Sequence, residues 1–120
     1  MINLTIQTLP PSLNRLERMH WAVKKKLRKT FAQELHHAWW ESGDPVKDGP
    51  RKMRLTTTIY WKTRRLDEDN AMGSLKIIID AMRDVGLVYR DSPKWLEVKK
   101  PIQKLDHKSP RVEIEIEELA

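Results

Sequence analysis

The chain has no cysteine, one phenylalanine and two tyrosines in 120 residues. The missing thiols exclude disulfides, thiolate nucleophiles and cysteine-ligated zinc. No apolar run approaches the ~20 residues that a membrane helix needs. The opening Met1-Ile2-Asn3-Leu4-Thr5 has no basic lead into an apolar stretch, so no signal peptide is expected. The predicted compartment is the cytoplasm, with no membrane partner. Hydrophobic residues make up 39% of the chain, enough for one core in one domain spanning residues 1–120.

Tryptophan and positive charge are plentiful: five Trp and a net charge of +6. The charge is uneven. Residues 1–66 carry 14 Lys and Arg against 5 Asp and Glu, and residues 67–120 carry 9 against 12. A basic half joined to a half with an acidic cluster suits a protein that attracts phosphate with one part and does chemistry with the other.

Ile2, Leu4 and Ile6 alternate with polar residues, which predicts a half-buried strand. Pro10-Pro11-Ser12 ends it. Met19, Val23, Leu27, Phe31, Leu35 and Trp39 recur every four residues and predict a helix from about His20 to Glu41, stopped by Ser42-Gly43-Asp44-Pro45. Asn14 and Glu17 could form a capping pair that starts it earlier. Met53, Leu55, Thr57, Ile59 and Trp61 alternate in a long β-branched strand. A second helix is expected over about 71–85, ended by Gly86. Leu96 and Val98, extending toward Ile102, suggest a third strand; Val112, Ile114 and Ile116 suggest a fourth. The order β-α-β-α-β-β favours an α+β domain with two helices packed on a mixed or antiparallel sheet.

Chemistry concentrates where the long strand ends, in Arg64-Arg65-Leu66-Asp67-Glu68-Asp69-Asn70. Crowded carboxylates raise one another's pKa or recruit a cation. Magnesium takes oxygen ligands and keeps several waters, so two or three carboxylates suffice. Asp67, Asp69 and Asp91 come from a strand end, a helix start and a loop after a helix, places that a helix-backed sheet can gather; Mn²⁺ could replace Mg²⁺. Along the second helix Asp69, Gly73, Lys76, Asp80 and Arg83 share one line, opposite Met72, Leu75, Ile78, Ile79, Met82 and Val85. Lys76 is thereby placed to stabilise charge on a phosphate. Gly73 is costly inside a helix, so either the helix begins nearer Ser74 or a backbone approaches closely there. The plainer alternative is that Asp67 or Asn70 caps the helix and Asp69 favours its dipole.

Lys24, Lys25, Lys26, Arg28 and Lys29 flank the apolar stripe of the first helix and are candidates for phosphate contact or for simple solvation. Trp39 and Trp61 fall on apolar faces. Trp21, Trp40 and Trp95 do not, which leaves packing, a dimer interface or base contact open. His20, His36, His37 and His107 have no metal-ligand spacing.

Taken in order, these residues resemble the RusA family of Holliday junction resolvases. Pro10-Pro11-Ser12-Leu13-Asn14 is similar to that family's Pro-Pro-Ser-x-Asn, Arg64 to Asn70 to its R-R-x-D-x-D-N, and Lys76-x-x-x-Asp80-Ala81-Met82 to its K-x-x-x-D-A/G segment. Gly86 and Arg90-Asp91-Ser92-Pro93 resemble its G-x(4)-D-D ending. The chain has about three residues more between Asn70 and Lys76, around Ala71-Met72-Gly73, and Leu66 and Arg90 stand where a basic and an acidic residue are frequent.

The resemblance implies a RusA-like fold, catalytic and magnesium-binding Asp67, Asp69 and Asp91, a catalytic Lys76, and a symmetric homodimer. The resulting expectation is a metal-dependent endodeoxyribonuclease that cuts four-way junctions or other branched DNA, leaving 5′-phosphate and 3′-hydroxyl ends. Arg64, Arg65, Lys24, Lys25 and Arg28 are the expected DNA contacts. The alternatives are a branched-DNA-binding protein with impaired catalysis and a domain whose acidic cluster only caps a helix.

Overall fold

The computed structural model describes residues 1–44 and 49–119. The elements run β1 (Ile2–Ile6), α1 (Leu13–Arg18), α2 (Trp21–Ser42), β2 (Lys52–Trp61), α3 (Glu68–Val85), β3 (Leu96–Val98), β4 (Ile102–Leu105) and β5 (Arg111–Leu119). The molecule is therefore α+β, with a mixed sheet. β5 lies between β1 and β2, antiparallel to both. β3 and β4 run parallel to β2 along its other side.

Two elements exceed the sequence expectation of four strands and two helices. The predicted third strand is two strands, because Pro101 lies between them and has no N–H to give the ladder. The segment before α2 is a separate helix, α1. Its N-cap is Ser12, whose hydroxyl accepts from the Arg15 amide at 3.2 Å, so Asn14 and Glu17 do not cap anything. Met19 is extended, and His20 caps α2 through Nδ1, which accepts from the Ala22 amide at 3.1 Å. Pro45 lies outside the described residues.

The alternation read along the strands places Leu4, Ile6, Leu55, Ile59, Val112, Ile114 and Ile116 on one buried face of the sheet. α2 packs on β1 and α3; its Phe31, Leu35 and Trp39 are buried, and Leu27 is partly covered. Burial of Phe31 alone corresponds to about 3–5 kcal/mol against alanine. The stripe fails at one end: Val23 is 55% exposed, because the first turns of α2 project past the core.

α3 is buried over more of its circumference than the sequence suggested. Ile77, Ala81 and Ser74 are buried along with Leu75, Ile78, Ile79 and Met82, because α1, α2 and the sheet all meet this helix. Met72, at the margin of the expected arc, is 41% exposed. Trp39 and Trp61 are buried as expected, whereas Trp21 and Trp40 stand in solvent. Among the described residues no helix is long and apolar enough to cross a membrane.

Candidate acidic site at the start of α3

Asp67 is the N-cap of α3. Its backbone is extended, and its carboxylate accepts from the Asn70 amide at 2.9 Å and from Asn70 Nδ2 at 2.8 Å. Those hydrogen bonds, backbone first, hold the Asp67 carboxyl below the usual aspartate range, with a smaller contribution from the Asp69 amide. The carboxylate is thus kept anionic while remaining in solvent. Glu68 and Asp69 occupy the first turn, where the helix dipole favours negative charge. Glu68 turns to Lys100, with which it forms an ion pair. The capping alternative is therefore structurally true of Asp67, and it leaves the carboxylate open to a ligand.

Asp67, Asp69 and Asn70 line an open hollow together with Leu13 and Asn14. Asn14 arrives from α1: its amide donates to Asn70 Oδ1 at 3.0 Å. One asparagine side chain thus joins the Pro-Pro-Ser-Leu-Asn segment to the acidic segment 56 residues later. The exposed Arg64 and Arg65 immediately precede the hollow.

Gln103 fixes the approach to the hollow. Its Oε1 accepts from Trp61 Nε1 at 2.8 Å and from the Leu66 amide at 2.9 Å, and its Nε2 donates to the Leu66 carbonyl at 3.0 Å. A side chain on β4 thereby holds the segment that links β2 to α3. Nothing in the local sequence marks this residue. Gln103→Ala would leave three half-buried polar groups without a partner, a cost of about 1–3 kcal/mol. The expected result is a melting temperature lower by roughly 5–10 °C, with faster hydrogen exchange at the Leu66 amide. Unchanged exchange there would show that Gln103 does not hold the segment.

Lys76 and Asp91 meet elsewhere on α3. Lys76 Nζ lies 3.3 Å from Asp91 Oδ2 and 3.9 Å from Asp80 Oδ1. Lys76 follows Asp69 by two helical turns, about 10 Å along the axis. Between them sits Leu13. The helix does not begin nearer Ser74, and what crowds Gly73 is a side chain and not a backbone: a Cβ placed there would lie 2.6 Å from the Leu13 Cβ. The Ala71-Met72-Gly73 turn that lengthens the spacing to Lys76 is the turn on which Leu13 rests.

The structure thus brings Asp67 together with Asp69, and Lys76 together with Asp91 and Asp80. It does not gather Asp67, Asp69 and Asp91: among the described residues no three His, Asp or Glu side chains form a group able to hold a metal. Of the expected DNA contacts, Arg28 is committed to Asp84 through two hydrogen bonds of 2.6 and 2.7 Å, which tie α2 to α3. That pairing raises the Arg28 pKa and lowers that of Asp84. Lys24 and Lys25 are exposed.

The donor chemistry at the start of α3 fits magnesium in its usual protein setting, in which one or two carboxylates share the ion with waters and substrate phosphates. Asp67 and Asp69 are two carboxylates of that kind, both lining the hollow. Asp91 is not grouped with them and pairs instead with Lys76. Compared with models of protein families and with curated proteins, the chain matches none.

Proposed function

We propose that this chain is a magnesium-dependent endodeoxyribonuclease with a RusA-like fold, resolving Holliday junctions and related branched DNA in recombination and repair. The observation that carries this reading is the hollow at the start of α3. Two hard carboxylates, Asp67 and Asp69, face solvent there, and a pair of exposed arginines, Arg64 and Arg65, comes just before them in the chain. A cation and a phosphodiester are the ligands that such a juxtaposition neutralises together. The ordered motif resemblance supports the same reading and supplies the homodimer. Two-fold symmetry matches a pseudo-symmetric junction with one nick per subunit. The cytoplasm is the proposed compartment, and Mn²⁺ a workable substitute for Mg²⁺.

Bound magnesium would supply a Lewis acid and a more acidic water for in-line attack on the phosphodiester. The chain does the rest. Arg64 and Arg65 hold the sugar-phosphate backbone through charge-assisted hydrogen bonds. Asp67, kept anionic by Asn70, and Asp69 hold the cation. Lys76, whose side chain is 69% exposed, can exchange Asp91 for a phosphate oxygen and neutralise charge that develops on the phosphoryl oxygens.

Incubating the chain with a synthetic four-way junction and Mg²⁺ should give symmetric nicks bearing 5′-phosphate and 3′-hydroxyl ends. No product with either Mg²⁺ or Mn²⁺ would reject the nuclease. The Lys76–Asp91 pair favours one second reading, a branched-DNA-binding protein with impaired catalysis, in which that pair never opens. It is distinguished by salt-sensitive junction binding in EDTA with no cleavage when metal is restored.

A further inference from the structure

A groove of about 420 Å³ runs between α1, the first turns of α2 and the middle of α3. Of the residues that line it, the proposed cleavage chemistry uses only Lys76. Leu13, Leu16 and Ile77 form its apolar part. Trp21 stands in its wall with 71% of its surface exposed, although an indole at the start of a helix has no need to face water. The His20 ring lies 5.6 Å from it, tilted by 31°.

Lys24 and Lys25, the next turn of α2, also line the groove and form no ion pair among the described residues. Arg28 and Lys76, farther in, are already paired with Asp84 and Asp91. Two carboxylates, Glu17 and Asp80, also line it. The unpaired positive charge is therefore at Lys24 and Lys25, whereas Arg28 and Lys76 are each held by a carboxylate.

We infer that this groove takes one unpaired nucleotide of a DNA strand, with Trp21 stacked on the base and Lys24 and Lys25 holding the flanking phosphates. A site of this volume lies within the range of small-ligand clefts. An exposed indole accepts any base, since every base has a π-face. Lysines supply point charges for phosphate without fixing its orientation. Leu13, Leu16 and Ile77 offer the base an apolar floor, and the unpaired Lys24 and Lys25 keep the backbone on the α2 side.

Leu13 is shared between this groove and the acidic hollow. A strand that loses its pairing at a branch therefore passes from Trp21 toward Asp67 and Asp69. A second copy of the chain is the poorer occupant, because two-fold pairing across Trp21 would set Lys24, Lys25 and Lys26 against their own images.

The inference rests on the branched-DNA reading, but its test needs no cleavage. Fluorescein-labelled dT12 is titrated with the full chain in EDTA, and anisotropy is read. Trp21→Ala should weaken binding by about tenfold, the scale of one lost base stack, while Trp21→Phe retains most of the affinity. Lys24→Gln with Lys25→Gln should reduce the slope of log K against log salt by about 1.4, two phosphates' worth on a single strand.

Equal affinity of Trp21→Ala and the parent would overturn the inference. So would tighter binding of rU12 than of dT12, which assigns the groove to RNA. Loss of a dimer by sedimentation without loss of dT12 affinity assigns Trp21 to a second copy and also rejects it. A chain that binds dT12 through Trp21 but leaves the junction uncut in Mg²⁺ keeps the groove and loses the nuclease; cleavage with an indifferent Trp21 does the reverse.

Discussion

Asp67→Asn should abolish magnesium-dependent junction cleavage while lowering the melting temperature only slightly. The two effects separate because asparagine is as good an N-cap as aspartate. Its amide oxygen can accept from the Asn70 backbone amide as the carboxylate does at 2.9 Å. What the substitution removes is the second oxygen and the charge. Even outer-shell partners of metal ligands are worth roughly 10–100-fold, so a direct ligand should cost at least about a hundredfold.

The Asp67 carboxyl titrates below the usual range because Asn70 hydrogen-bonds its ionised form. A depressed pKa contributes stability above the unfolded value, and the contribution disappears as pH falls through the folded one. Asparagine does not titrate, so the variant should also lose that small acid sensitivity. Asp67→Ala is the contrasting change: it removes the cap as well, at about 1 kcal/mol. Paired cleavage time courses and thermal melts distinguish these cases. Parent-level cleavage by Asp67→Asn would show that the hollow is only a helix cap.

Gly73→Val should produce the second large effect, this time on the fold around the site. The added Cβ would meet the Leu13 Cβ at 2.6 Å and both Leu13 methyls within 2.8 Å. The Leu13 Cβ is bonded directly to the backbone, so α1 must move. Overpacking of this kind costs about 3 kcal/mol, equivalent to roughly 10 °C in melting temperature. Gly73→Ala recovers ~1 kcal/mol of helix propensity and should be milder.

Displacing α1 also detaches the Asn14 amide from Asn70 Oδ1. The Asn14 amide should then exchange faster with solvent, and junction cleavage should fall even though no carboxylate has changed. A Gly73→Val chain that melts at or above the parent would mean that α1 is not seated on α3 there.

The elements legible in the sequence were those whose burial follows one simple period. β2 and β5 alternate because one face meets the helices, and α3 repeats because one arc meets the sheet. α1 was not legible: it is six residues long and buries only Leu16, too little for a periodic signal. The division of β3 from β4 is marked in the sequence only by Pro101, which interrupts an otherwise continuous apolar pattern.

The site divides along the same line. Asp67, Asp69 and Asn70 are adjacent in the chain, so local geometry sufficed to group them. The pairing of Lys76 with Asp91 spans 15 residues and a change of direction after Gly86, whose left-handed backbone (φ 85°) ends α3. Helical spacing could place Lys76 but could not place Asp91. Gly73 carried the one usable long-range hint, since an unfavourable residue in a helix signals a neighbour that needs its space. Gln103 carried none, because its role depends on a parallel register that sets it opposite Ile59.

The position of β5 bears on how the chain comes off the ribosome. β1 emerges first, yet its only strand neighbour among the described residues is β5, and β2 waits for the same segment on one side. Until residues 111–119 are synthesised, both strands carry bare hydrogen-bonding edges, and a translating polypeptide can complete α2 and α3 but not the sheet beneath them. Closure of the sheet is thereby a late event, and a nascent chain stalled before Arg111 is the species most exposed to chaperones and to mispairing.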